Sequence, residues 1–284
     1  MVIVDAGSTD NTINVAKELA EVYQNLDLID AGPAGPGQAR NIGVEAVNST
    51  WVLLIDAGTQ FDENLVKQFL SASKNDPAAA VILGSRRCQA DVRWRAAATI
   101  TMFPPRDFVE DRWARQSTGV PCLLKRQSWN EVGGMPDWRA GEDKEFLRRL
   151  QLAGVVISYA PAAEVTWDIA ASRRRLFLKW RTYEYHAAVH GFSWHRPAIT
   201  YNLAGAVLAI PTVSVFGWAG ILMVFVPHLA RTAVRYGRHR WRGDEEVPGG
   251  VLVFFQALLT SVLVDFAVLW GYVCYRLGRE PREW

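Results

Sequence analysis

The sequence predicts an α/β fold with a mostly parallel sheet, followed by a membrane-associated helical region. Three observations carry this. Short apolar runs alternate with helix-patterned stretches over residues 1–90. The runs end in Asp or in Gly-Ser-Arg, at the carboxyl ends where such sheets bind ligands. Beyond Tyr201 the composition changes, with two long and almost wholly apolar runs.

The elements follow in order. VIVD (2–5) reads as a buried strand, and Asp10 or Asn11 caps a helix running to about Val22, with Ile13, Ala16, Leu19, Ala20 and Tyr23 at helical spacing. LDLID is a second strand. AGPAGPGQARNIG is a Gly/Pro loop running into a helix. WVLLIDAG, apolar throughout, is a third strand covered on both faces, and it again meets Asp just before Gly. DENLVKQFLSAS is helical and AAAVILGSRR a fourth strand. Asp5, Asp56 and Gly84-Ser85-Arg86 thus fall together at strand ends. Cys88 to Val120 has no clear period and holds Pro104-Pro105, so an irregular insert is expected there. Order returns with CLLKRQSWNEVGGMPDW. GEDKEFLRRLQLAG is an amphipathic helix with Phe146, Leu147, Leu150 and Leu152 on one face, stopped by Gly154. VVISYAPAAEVTWD is a further strand.

The net charge of +2 hides an asymmetry, for Arg dominates from Arg86 onward, among many of the 12 Trp. Such clusters suit a membrane interface or nucleic acid. Because they flank apolar spans, the membrane is expected and nucleic acid is not. The 3 Cys follow no metal spacing and read as reduced, packed thiols. The five His likewise show no ligand spacing. Leu203–Val226 carries no charge and is long enough to cross a bilayer. The second apolar segment, 251–275, carries Gln256 and Asp265. Two plain crossings would strand Arg231, Arg235, Arg238, Arg240 and Arg242 outside, against the preference of basic residues for the cytoplasm. The expectation is therefore an embedded segment near 203–226 that bends at Pro211 or around Gly217 to Gly220 and returns, or a second segment lying in the interface.

Four pieces, taken in order, carry a resemblance: VIVDAGSTDNT, the GQARNIGVEA and WVLLIDAG pair, KRQSWNEVGGMPDW, and GEDKEFLRRLQLAG followed by a strand and VTWD. Together they resemble family 2 glycosyltransferases of the GT-A fold, over roughly residues 2–190. Asp56-Ala57-Gly58, in place of D-x-D, and Pro136-Asp137-Trp138 are similar to a bacterial membrane-linked subgroup. The resemblance implies a GT-A domain over 1–190 and a membrane-associated helical region over 191–284. It also implies one more strand and helix ahead of Val2, so the expectation is that translation begins upstream of Met1, the other reading being a truncated paralogue.

The resemblance further implies an inverting transfer from a nucleotide-sugar donor, most simply a UDP-sugar, to a lipid-linked or glycan acceptor at the membrane. The catalytic domain then faces the cytoplasm, and cell-envelope or exopolysaccharide synthesis is the setting. Asp143 is the expected base, with Glu142 beside it positioning the acceptor. Asp5, Arg40, Asn41, Asp56 and Arg181 are the expected donor-binding residues, and Tyr183 lies on the same basic-aromatic helix as Arg181. A Mg or Mn ion is expected at Asp56 with one carboxylate fewer than usual, because residue 58 is Gly. Trp167-Asp168 stands where many relatives have His. The absence of Q-x-x-R-W favours single addition over processive synthesis. The rival expectation is a non-catalytic membrane subunit, which Ala6 and Gly58 support.

Overall fold

The structure, a computed structural model, describes residues 1–88, 92–102, 120–192, 195–241 and 249–281. Its described residues fall into two compact units. The first holds 1–57, 61–85 and 120–165, and the second 58–60, 86–88, 92–102 and 166–281.

In the first unit, β1 (Val2–Asp5) leads through α1 (Thr12–Val22) to β2 (Asp27–Asp30), and the two strands pair in parallel from Val2 opposite Asp27 to Asp5 opposite Asp30. Asp10, one of the two capping candidates, accepts from both the amide and the hydroxyl of Thr12 at 3.0 and 2.6 Å. Next come α2 (Pro36–Glu45) and β3 (Trp51–Leu54), then α3 (Leu65–Asn75) and β5 (Val81–Cys88), whose last three residues belong to the second unit, as does the short β4 (Thr59–Gln60) that precedes α3. The order of the five-stranded sheet is β3, β6 (Cys122–Lys125), β5, β7 (Ile157–Trp167), β4.

The α/β class stands, but the strand directions are mixed where a mostly parallel sheet was expected. β6 runs antiparallel to both β3 and β5, so those two point the same way with β6 inserted between them. Alternation of strands and helices fixes the direction of β3 and β5. It says nothing of CLLK, which returns from a later part of the chain.

Strand alternation sorts the core. Val52, Leu54, Val81, Leu83, Cys122 and Leu124 face one cluster, with Val44 of α2, Trp129 of α5 (Arg126–Glu131) and Phe146, Leu147 and Leu150 of α6 (Glu142–Leu152). Leu53, Ile82 and Leu123 face the other, with Leu65 and Phe69 of α3. β3 is therefore covered on both faces, as its unbroken apolar run implies. Leu152 leaves the apolar face of α6 and is exposed, since two residues past Leu150 is more than half a helical turn away.

In the second unit, α4 (Arg93–Met102) occupies part of the stretch expected to be irregular. Its residues Ala96 to Ile100 are buried in succession, and a helix covered nearly all round leaves no one-sided period to read. Pro104-Pro105 lies outside the described residues. α7 (Arg173–Val189) opens with a side-chain cap, the Ser172 hydroxyl accepting from the Arg175 amide. The apolar region forms α8 (His195–Phe216), a 3-10 segment (Gly217–Phe225), α9 (Val226–Trp241) and α10 (Val251–Arg276). Two stretches, Ala198–Trp241 and Val251–Arg276, are long and apolar enough to cross a membrane by length and composition. Arg242 lies outside the described residues.

Candidate active site

The end of β3, the start of α2 and the start of α6 meet over Cys122 of β6, which sits opposite Leu54 in the sheet register. The α2 N-terminus owes its position to Gly37. A Cβ there would collide with the Pro136 carbonyl oxygen, so glycine lets the helix rest directly on the Pro136-Asp137-Trp138 turn. Asn41, one turn on, holds the other end of that turn. Its amide donates to the Met135 carbonyl at 2.8 Å and accepts from the Met135 N–H at 3.0 Å.

Arg40 stands at the centre. One amino group donates to Asp56 Oδ1 at 2.7 Å and the other to Glu142 Oε1 at 2.8 Å. Burial alone would lower its pKa, but the two carboxylates outweigh that and raise it. Glu142 is buried. Burial pushes its carboxyl up and neighbouring Asp143 adds to this, while Arg40 opposes. Asp143, next along α6, is only half-buried, and its Oδ1 accepts from the Lys144 amide at 2.8 Å. Beneath them, burial pushes the Cys122 thiol up to about 12; Arg40 pulls against that, and Asp56 and Asp143 reinforce it.

Four of the expected residues, Arg40, Asp56, Glu142 and Asp143, are thus brought together. Three of the expected residues have partners within the protein. Glu142 turns inward to Arg40, where an acceptor-facing carboxylate was expected, because it shares the buried face of α6 with Phe146 four residues on. Asn41 spends both ends of its amide on the Met135 backbone and so holds the turn. Asp5 folds back on its own loop. Its Oδ2 accepts from the Gly7 and Ser8 amides at 3.1 and 3.0 Å. The Ser8 hydroxyl, then the Ser8 amide, hold its pKa below the usual carboxylate value, against burial, with help from the Gly7 amide. Arg181 lies on α7 in the second unit, where its backbone carbonyl packs against Gly271. Sequence reasoning missed the double pairing of Arg40, and the one signal for it was that helical spacing put Glu142 on an apolar face.

At Asp56 the protein offers a single carboxylate, so a Mg or Mn ion there would draw its other ligands from the donor's diphosphate and water. Asp56 Oδ1 is bonded to Arg40, position 58 is Gly, and no group of three or more His, Cys, Asp or Glu side chains converges among the described residues. Trp167-Asp168 belongs to a cationic cluster in the second unit. Lys179 Nζ lies 4.1 Å and the Arg86 guanidinium 5.4 Å from the Trp167 ring centre, and Arg95 pairs with Asp168 at 3.6 Å.

The carboxylates and the guanidinium thus gather at the end of β3, an edge strand of the mixed sheet. Residues 1–132 match the model for "Glycosyl transferase family 2". Among curated proteins, the chain is 28% identical over 133 residues to the uncharacterized glycosyltransferase YibD of Escherichia coli, covering 47% of this chain and 35% of that one. It is 24% identical over 172 residues to a poly-beta-1,6-N-acetyl-D-glucosamine synthase of Staphylococcus aureus, covering 57% of this chain and 41% of that one. The chain thus spans well under half the length of these relatives. Among solved structures, the mannosyltransferase PcManGT from Pyrobaculum calidifontis, in complex with GDP-Man and Mn2+, aligns over 98% of this chain and 78% of its own, with a TM-score of 0.55 at 17% identity. That likeness concerns the fold, which is GT-A.

Proposed function

We propose that this protein is an inverting glycosyltransferase that moves a sugar from a nucleotide-sugar donor to a lipid-linked or other membrane-bound acceptor. The observation that supports it best is the cluster at the start of α6. There a half-exposed carboxylate, Asp143, stands beside a buried one, Glu142, whose charge Arg40 offsets. Asp143 is the base: it takes the proton from the acceptor hydroxyl as that oxygen bonds to the sugar's anomeric carbon. The bond from that carbon to the diphosphate oxygen breaks on the opposite face, so the configuration inverts. Arg40 is a positioning residue that fixes Asp56 at the end of β3 and Glu142 under Asp143. Asp56 accepts from the donor.

The apolar segments hold the protein at the membrane where the acceptor resides, with the transferase domain on the cytoplasmic side. Asp143→Asn keeps the shape of the side chain but not its basicity. Transfer by membranes carrying this variant falls by roughly 100- to 10,000-fold, with the unfolding midpoint unchanged. A variant that keeps more than about half the rate would remove Asp143 from this role. Absence of transfer by the wild type across a panel of nucleotide sugars, with donor binding retained, is the outcome that favours the non-catalytic subunit suggested by Ala6 and Gly58.

A further inference from the structure

We infer that the apolar region is monotopic: α8 and the 3-10 segment enter one leaflet as a hairpin, α10 lies along the membrane surface, and no helix crosses. This rests on the membrane association proposed above and goes beyond it.

The hairpin is built by close backbone contact. The chain reverses at Gly217, with φ +60°, rather than at Pro211, through which α8 continues. A Cβ on Gly205 would strike the Val224 backbone, and one on Gly220 would strike that of Thr212 and Val213, so the outgoing and returning legs touch along their length. The Thr212 hydroxyl bonds the Gly220 carbonyl at 3.1 Å across the pair, giving a carbonyl near the turn a partner inside hydrocarbon.

Depth follows from the helical rise. The apolar, uncharged part of α8, 198–216, covers about 28 Å as α-helix, and Gly217–Phe225 returns about 18 Å as 3-10 helix. Neither reaches the roughly 30 Å of a bilayer core. The legs display Leu203, Val207, Ile210, Val215, Trp218 and Leu222, with Trp218 at the turn 85% exposed. These exposed apolar side chains of an uncharged hairpin fit lipid, while its remaining contacts in the second unit are with α9 and α10.

α10 is different. One face presents Leu252, Phe255, Leu259, Phe266, Trp270 and Val273, a stripe at helical spacing. The other is pressed along α7 and α4. Gln256 meets Arg173, Gly271 meets the Arg181 backbone, and the Thr101 hydroxyl bonds the Ala257 carbonyl at 3.1 Å. Asp265 pairs with Arg231 of α9. A crossing α10 would carry α7 with it, and α7 holds Arg173, Arg174, Arg175, Lys179, Arg181 and Glu184. Charges at bilayer depth are costly. Lying flat, α10 wets its apolar stripe with lipid and leaves α7 in water, and the Arg residues of α9 stay on the side from which the hairpin enters.

The test is cysteine labelling of the full chain in membranes, in a Cys274→Ser background whose remaining two thiols are buried. Gly237→Cys on α9, Arg279→Cys after α10 and Trp218→Cys at the turn are each treated with an impermeant maleimide from either side. Gly237→Cys and Arg279→Cys are expected to label from the same side only. Trp218→Cys is expected to lose labelling from both sides and regain it in detergent. Labelling of Gly237→Cys and Arg279→Cys from opposite sides, or of Trp218→Cys from the far side, would overturn the monotopic arrangement while leaving membrane association intact. Release of the protein by alkaline carbonate, or equal labelling of Trp218→Cys with and without detergent, would overturn the embedding itself. Transfer to a water-soluble acceptor, assayed separately, then still reports whether the transferase reading stands.

Discussion

Arg40→Met isolates the electrostatics of the site. Methionine keeps much of the length and apolar packing of the side chain and removes both ion pairs. The Glu142 side chain is 9% exposed and that of Asp56 35%, so the two losses are unequal. Stripping a buried carboxylate of its partner costs about 3–5 kcal/mol, while the more solvated Asp56 contributes at most about 1 kcal/mol. Proton uptake by the abandoned Glu142 limits the first figure, and a net loss of about 3 kcal/mol near neutral pH is expected.

The pH dependence carries the sharper test. A carboxyl whose folded-state pKa lies above its unfolded value binds a proton on folding. Stability therefore falls as pH rises between the two values and levels off above the higher one. Burial and Asp143 already place Glu142 on that side, and losing Arg40 moves it further. The variant's deficit is thus largest at about pH 8 and shrinks toward about pH 5.5 as Glu142 takes up a proton. Urea unfolding of the full chain in detergent, followed by tryptophan fluorescence, reads both as midpoint shifts at constant slope. Adding Glu142→Gln to Arg40→Met returns much of the loss at the higher pH, since removing both partners is far milder than removing one. A deficit below about 1 kcal/mol, or one equal at both pH values, would refute the reasoning.

Other outcomes follow from neighbouring contacts. Asn41→Ala leaves the Met135 N–H and carbonyl unpaired and lowers stability by about 2 kcal/mol; a midpoint within error of wild type would show water taking both bonds over. Gly37→Ala forces the α2 N-terminus off the Pro136 carbonyl and lowers the melting temperature by several degrees, whereas Gly58→Ala, with open space at its Cβ, stays within about 0.5 kcal/mol of wild type. Cys88 and Cys122, each pushed up to about 12 by burial, stay thiols near neutral pH, so only Cys274 of the three reacts with iodoacetamide in the native protein and all three react in denaturant.

Local pattern carried the alternation of VIVD, LDLID, WVLLIDAG and AAAVILGSRR with helices, because a buried run and a 3.6-residue stripe leave one-dimensional traces. The same held for the helix start at Glu142, which the Gly-rich turn before it marks. The strand direction of β6 left no such trace, for Cys122-Leu123-Leu124 reads alike either way along a sheet. Nor did α4, buried on nearly every side. In the candidate site, the residue types were legible and their partners were not. Arg40 and Glu142 are 102 positions apart, and only folding shows that the guanidinium spends its donors on carboxylates. Asn41 in A-R-N looked like a ligand-facing amide for the same reason: nothing nearby in the chain announces Met135 as its partner.

The hold of Gly37 and Asn41 on the turn at 134–138 has a consequence for how the molecule breathes. Neither piece has a strand ladder of its own. The α2 N-terminus keeps its place by resting on the turn, and the turn keeps its shape through the Asn41 amide. Segments fastened only to each other open together. Amide hydrogens of 37–41 and of 135–138 therefore exchange with solvent at a common rate, and a ligand that steadies either segment slows exchange in both.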